Sequence, residues 1–262
     1  MTVLRTVNAT RYVTPLREGG SLPAIVEADD CGLYVLKFRG AGQGPLALVA
    51  ELIGGEVGRA LGLKVPEIVL MNVDGSLGRN EPDYEIRELL RASTGLNLAL
   101  DYLPGSMMFD PAARTVVDAQ VASGAVWFDS FLTNVDRTAR NPNLLWWHKT
   151  LYLIDHGASL YFHHNWSDLE KMATTAFPAI REHVLLPSAS GLPETDAVFR
   201  ARLNQAVFEK VMSQVPDKWL VPEPGVDGPA EKRDAYVRYL SLRLSSSSLF
   251  VEEAMRARAL LL

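Results

Sequence analysis

Apolar and polar residues alternate early in the chain, in Pro-Ala-Ile-Val-Glu (23–27) and Leu-Tyr-Val-Leu-Lys-Phe (33–38), with Ala-Asp-Asp-Cys-Gly as turn material between them. That pattern predicts a β-hairpin. After a glycine-containing loop at 39–45 the period lengthens: Leu46, Val49, Leu52, Ile53, Val57, Ala60 and Leu61 share one side of a helix that ends near Gly62. Two further apolar runs, 66–74 and 96–103, read as strands, the second stopping at Pro104-Gly105. The first hundred residues therefore predict a small antiparallel sheet with one helix.

Beyond that point the pattern changes. Residues 115–132 predict a helix, Leu144 to Trp147 and Leu151 to Ile154 a second hairpin, and most of 168–262 helices separated by proline-marked loops at 187–193 and 221–229. Segments 230–243 and 247–260 predict the closing helices. The reading is an α+β, bilobal chain: a sheet lobe over 1–103 and a mainly helical lobe over 104–262, joined near 101–106. No internal repeat, heptad run or low-complexity tail interrupts it.

Composition narrows the classes. With 262 residues, 48% hydrophobic, 22% charged and a net charge of −5, the chain suits one large domain or two lobes and has neither the profile of a disordered chain nor a basic nucleic-acid footprint. No stretch approaches the roughly 18 apolar residues of a membrane helix, and the first residues lack a signal-type apolar run, so a cytoplasmic location is expected. Cys31 is the only cysteine, which excludes an internal disulfide and a thiolate metal cluster and reads as a small packing residue.

The chemistry concentrates around the second hairpin. Asp136 precedes it, Asn141 and Asn143 follow within the same loop, and Asp155 ends its second strand in Asp-His-Gly. Such residues also make ordinary turns, but their order and apolar context suit another purpose. Asp136 is placed to orient or deprotonate a hydroxyl, and the downstream Asn and Asp155 offer hard oxygen ligands to a Mg²⁺ bridging nucleotide phosphates. His156, His163 and His164 lie near Asp155, yet their spacing matches no zinc site. Trp127, Trp146, Trp147 and Trp166 read as packing residues, with one able to border an acceptor cleft.

Lys37 stands in an apolar strand just before the first helix, where an ammonium could reach phosphates as a point charge. On that helix Glu51 lies within an apolar surface, so an ion pair with Lys37 would orient the lysine and offset the cost of a buried carboxylate. Glu56 is the alternative partner. Arg137, beside Asp136, is placed either to contact a phosphate or to pair with a surface carboxylate.

The succession Tyr-Val-Leu-Lys-Phe (34–38), Val-Ala-Glu-Leu-Ile (49–53), Leu-Pro-Gly (103–105), Asn-Val-Asp-Arg-Thr-Ala-Arg-Asn-Pro-Asn-Leu-Leu (134–145) and Leu-Ile-Asp-His-Gly (153–157) resembles HipA-like kinase domains over nearly the whole chain. The last two segments are also similar to the catalytic and metal-binding segments of phosphatidylinositol kinases. The resemblance implies a protein-kinase-like fold using ATP and Mg²⁺, with Lys37 as nucleotide lysine, Asp136 as catalytic acid and Asp155 as metal ligand. It further implies a hinge near Asp101, Tyr102 and Leu103 for the adenine.

Two departures bear on the transfer. The usual Asp-x4-Asn spacing selects Asn141 as second metal ligand, whereas the usual Asn followed by two apolar residues selects Asn143, which Pro142 would accommodate in a longer loop. No full glycine-rich loop precedes Lys37; Gly19-Gly20-Ser21 offers only a short backbone cradle for phosphate, with Ser21 as an autophosphorylation site by resemblance. The chain is shorter than toxin-type HipA proteins, so no extra N-terminal regulatory or DNA-partner part is expected. Three readings follow: a kinase acting on Ser or Thr of a protein, a small-molecule or lipid kinase of the same fold, and a non-catalytic nucleotide-binding partner module.

Overall fold

A computed structural model describes residues 3–16, 22–42, 44–79, 81–113, 115–222 and 228–261. Five strands, β1 (Thr6–Pro15), β2 (Ala24–Ala28), β3 (Leu33–Lys37), β4 (Ile68–Val73) and β5 (Gly95–Asp101), close into a barrel in the order β1-β2-β3-β5-β4. Neighbours are antiparallel except β1 and β4, whose parallel pairing of Thr6 with Leu70 through Asn8 with Asn72 shuts the barrel. Strand alternation sends Ala24, Val26, Tyr34, Leu36, Val69, Met71 and Ala99 into its interior. The same alternation turns Lys37 to the outer face, against which the first helix lies.

That helix, α1 (Pro45–Leu61), begins with proline in its first turn and stops at Gly62, whose φ of 84° is the left-handed C-cap. It is buried on nearly all sides because it is wedged between the barrel and the helical part, and close approach requires glycines. A side chain at Gly55 would meet Ile68 Cδ1 at 2.3 Å. Two features of this half differ from the expectation of a wholly antiparallel sheet with one helix. Strand β1 buries only Val7 along its length, so its polar pattern gives no period-2 signal. Helix α2 (Tyr84–Ala92), capped by Asp83 accepting from Glu85 N at 3.0 Å, covers a barrel end with Ile86 and Leu90.

The rest is mainly helical. A three-stranded sheet of β6 (Met107–Met108), β7 (Leu144–Trp147) and β8 (Thr150–Leu153) flanks α3 (Ala119–Leu132), followed by α4 (Leu169–Ala173), α5 (Leu192–Arg202), α6 (Gln205–Met212), α7 (Pro229–Ser245) and α8 (Ser247–Ala259). Pro193, expected in a loop, instead lies in the first turn of α5, where its missing N–H has no intrahelical acceptor to lose. Helix α3 is the hub: Trp127 stacks on Phe131 at 5.2 Å and meets Phe199 and Phe250 edge-on. A single apolar core runs from α1 through α3 to α8. Arg243, fully buried, closes the hub by donating to the Ser130 carbonyl at 2.8 Å and the Phe131 carbonyl at 3.4 Å, the negative end of α3. No helix among the described residues is long and apolar enough to cross a membrane.

After β8 the chain makes a short 3₁₀ turn, Tyr161–His164, pinned to α7. Phe162 stacks on Tyr239 at 3.7 Å, and His163 Nδ1 lies 2.9 Å from the Tyr236 hydroxyl. Burial, reinforced by the charges of His164 and Lys232, holds the His163 imidazole down to about 3. An unfolded histidine protonates near pH 6.5, so the stability gained by keeping this ring neutral is complete above that value and drains away as pH falls toward 3. From pH 7 to 5 the loss from this one group is about 2 kcal/mol. Urea unfolding at both pH values should show His163→Gln losing less stability on acidification by that amount; identical pH dependence of variant and wild type would exclude the effect.

Candidate active site

The outward-facing Lys37 meets α1 and the end of β8 together. Its Nζ donates to Asp155 Oδ1 at 2.7 Å and to Glu51 Oε2 at 3.5 Å. Glu51, 1% exposed, also accepts the His156 backbone N–H at 2.8 Å, while its Oε1 has no hydrogen-bond partner among the described residues. Burial works against the ammonium but the two carboxylates outweigh it, raising Lys37 to about 12. Burial pushes Glu51 up, whereas at Asp155 the same burial is overcome by Lys37, which holds that carboxyl below the usual range. Glu56 pairs instead with Arg59 at 3.4 Å, so α1 directs Glu51, not Glu56, at the lysine.

Ahead of the second hairpin, α3 ends at Thr133 in the left-handed conformation, and the loop after it is tied back to the helix. Asn134 Nδ2 donates to Asp129 Oδ1 at 2.9 Å and its Oδ1 accepts the Asp136 N–H at 3.1 Å. Asp136 is half-buried, and its Oδ2 accepts from Asn141 Nδ2 at 2.8 Å and Asn143 Nδ2 at 3.3 Å. Asn141 is exposed. Asn143 is buried, and its carbonyl accepts the Ile154 N–H at 3.1 Å, which sets it beside the segment carrying Asp155.

Arg137 departs from its expected place. It reaches neither a phosphate position nor a surface carboxylate: at 1% exposure its guanidinium is inside the protein, donating from Nε to Asp129 Oδ2 at 2.5 Å. The strand-like contact of Thr138 with His183, and the Val184 N–H to the Arg137 carbonyl, turn this side chain inward. Asp129 and His183 complete the cluster, with His183 Nε2 2.9 Å from Asp129 Oδ2. Both escaped the sequence reading; the only available signal was one carboxylate, Asp129, in an otherwise apolar helix.

The stretch expected to face an adenine follows β5. Asp101 N donates to the Glu67 carbonyl at 2.8 Å and Tyr102 N to the Leu33 carbonyl at 2.9 Å, so these two amides are engaged within the barrel. Leu103 is buried and its carbonyl accepts from Ser106 N in the turn where the sheet part gives way to the helical part. Gly19, Gly20 and Ser21 lie outside the described residues. Trp147 lies at the joint, donating from Nε1 to the Pro104 carbonyl at 3.0 Å.

Residues 10–251 match the family model described as HipA-like kinase. The chain belongs to the HipA-like kinase family. Among curated proteins no sequence matches it. Among solved structures it is similar to the Helicobacter pylori proinflammatory kinase CtkA, with a TM-score of 0.54 and 13% identity over 98% of this chain and 99% of that one. It also aligns with a Golgi casein kinase with Mn/ADP bound, at a TM-score of 0.45 and 10% identity, over 97% and 74% of the two chains. At 13% identity the likeness to CtkA is one of fold: a small sheet lobe and a helical part in the kinase arrangement.

In this member of the HipA-like kinase family the residue after Asp155 is a histidine, and α1 makes room for it. His156 lies fully buried, edge-on to Phe128 at 5.4 Å, with its Nδ1 3.2 Å from Arg137 Nη2. Burial and the Arg137 charge hold it down to about 3, so the ring is neutral. A Cβ at Gly54 would stand 2.6 Å from His156 Cβ. Gly54→Ala should therefore push His156, and with it the Asp155 turn, off α1 at a cost of roughly 1–3 kcal/mol. Chemical denaturation measures it; a variant as stable as wild type would show that the helix can shift to make room.

Proposed function

We propose that the protein is an ATP-dependent phosphotransferase that uses Mg²⁺ and acts on a Ser or Thr hydroxyl of a protein. The observation that carries this reading is that Lys37, tied to Glu51 and Asp155, and Asp136, tied to Asn143, are joined through the Asn143 carbonyl, which accepts the N–H of Ile154 next to Asp155. Residues 1–103 would hold the nucleotide, with its adenine at 101–103, and residues 104–262 the metal and the acceptor.

The donor set fits a small hard cation. Asp155 supplies a carboxylate and Asn143 an amide oxygen, since its nitrogen is the atom facing Asp136. Among the described residues no group of three or more His, Cys, Asp and Glu could hold a metal by itself. One carboxylate and one amide, with phosphate oxygens and water completing the shell, is how Mg²⁺ is usually held. Asn141, exposed and hydrogen-bonded across its own loop, is the weaker candidate. When bound, the ion would neutralise charge on the β- and γ-phosphates.

Lys37 then positions the phosphates, and Glu51 keeps Lys37 directed into the cleft. Asp136 orients the acceptor hydroxyl and takes its proton as the oxygen bonds to the γ-phosphorus and the bond to the β–γ bridging oxygen breaks, leaving ADP.

Asp136→Asn should retain Mg-ATP binding while turnover falls about 10²–10⁴-fold. Asp155→Asn should lose both. Thermal shift with ATP and Mg²⁺, run beside phosphate transfer to a mixed peptide library, separates these outcomes. Full turnover in either variant would sink the assignment, and a folded wild type that does not respond to Mg-ATP would sink the nucleotide reading altogether.

A further inference from the structure

We infer that Arg137 is a positioning residue for the metal-bearing segments: its buried guanidinium, anchored on Asp129 and through it on His183, fixes the geometry of Asn143 relative to Asp155. The inference rests on the phosphotransfer reading given above and concerns residues that touch neither phosphate nor acceptor.

The guanidinium contacts two peptide groups. Its Nη1 donates to the Asn143 carbonyl and, at 3.1 Å, to the Ile154 carbonyl. The first of these carbonyls belongs to the peptide that leaves Asn143, the second to the peptide that enters Asp155. Both residues adopt the left-handed region, Asn143 at φ 49° and Asp155 at φ 57°. A non-glycine residue there costs of order 1 kcal/mol or more and persists only when its surroundings hold it. Arg137 acts on both at once, because turning either carbonyl away to relax the backbone breaks a hydrogen bond to a buried cation, in addition to the Ile154 N–H bond at Asn143 and the Lys37 bond at Asp155.

The cation itself is immobilised. Asp129, 0% exposed, receives Arg137 Nε and, at 3.5 Å, Nη2, and its remaining capacity goes to Asn134 and His183. His183 Nδ1 accepts the Leu185 N–H at 3.0 Å, which leaves Nε2 as the protonated nitrogen donating to Asp129. A lysine at position 137 would keep the charge but not the planar fork that spans both carbonyls and the carboxylate.

The test is a titration of Mg²⁺ at fixed ATP, read by thermal shift, on wild type, Arg137→Lys, His183→Ala and His183→Gln. Loss of a residue supporting the metal ligands raises the Mg²⁺ midpoint roughly tenfold or more. That is expected for Arg137→Lys, with excess Mg²⁺ recovering much of the turnover. His183→Ala, which leaves the Arg137–Asp129 pair in place, should shift the midpoint the same way by a smaller factor, and the amide of His183→Gln, able to donate to Asp129, should reverse most of that shift. A residue with a merely structural role would lower the melting temperature and leave the midpoint where it was. Should Arg137→Lys fail to fold, the two His183 variants decide the matter. A wild type that responds to Mg-ATP while all variants keep its midpoint overturns the positioning role alone; a wild type without any Mg-ATP response overturns the nucleotide reading and this inference with it.

Discussion

Lys37 donates to two carboxylates that arrive from different parts of the chain, Glu51 on α1 and Asp155 beyond β8, and the placement of everything around the cleft follows from satisfying that one cation. A buried ammonium without partners is costly, and a pair broken on one side leaves an uncompensated charge. The barrel must therefore present Lys37 outward, α1 must lie flat enough against β3 for Glu51 to reach it, and the chain after β8 must turn left-handed to bring Asp155 back. Small residues on α1 allow the approach. The tight seat of His156 over Gly54 and the His156 N–H to Glu51 bond lock the same three elements from behind.

Much of this was legible in the sequence because it is carried by local patterns. The alternation in 33–38 placed Lys37 on one face of a strand, the 3.6-residue period of 46–61 placed Glu51 on the following helix, and the two acids bracketing the second hairpin identified Asp136 and Asp155. What escaped is what depends on tertiary partners. Strand β1 is polar along most of its length and is a strand only because β2 and β4 flank it. Helix α2 has just nine residues, two of them buried, too few for a periodic signal beside Pro82 and a run of charges. Arg137 sits next to a half-buried Asp136, so nothing in the local pattern says that its side chain turns inward; only the distant Asp129 and His183, 8 and 46 residues away, decide it.

The molecule thus contains two charged centres with opposite relations to solvent. Around Arg137 the charges are closed off: the cation and Asp129 are both inaccessible, and Asp129 is held far below the usual carboxylate range because Arg137 and His183 overcome its burial. Around Lys37 the ledger is left open. Asp155 keeps 39% of its side chain exposed, and one oxygen of Glu51 has no partner among the described residues. A closed centre resists rearrangement and serves as a frame; an open one can exchange partners when a ligand arrives. Setting the two side by side, linked through the peptide groups of 143 and 154, gives a rigid mount for a site whose own contacts can change.

The charge balance of the open centre also bears on what it can accept. Among the described residues Glu51 and Asp155 share the ammonium of Lys37 and Asp136 is tied to Asn143, while Arg137 is neutralised from within by Asp129. A nucleotide triphosphate brought into such a site adds negative charge to an environment already short of positive charge, where the screening of bulk water is reduced. Lys37, already shared between two carboxylates, offsets only part of it. Asp155, which now holds Lys37 at 2.7 Å, is the carboxylate that would take up a divalent cation, and that ion would supply positive charge at the phosphates. On the proposed reading, the carboxylates that would repel the nucleotide by themselves would therefore couple the binding of nucleotide and metal.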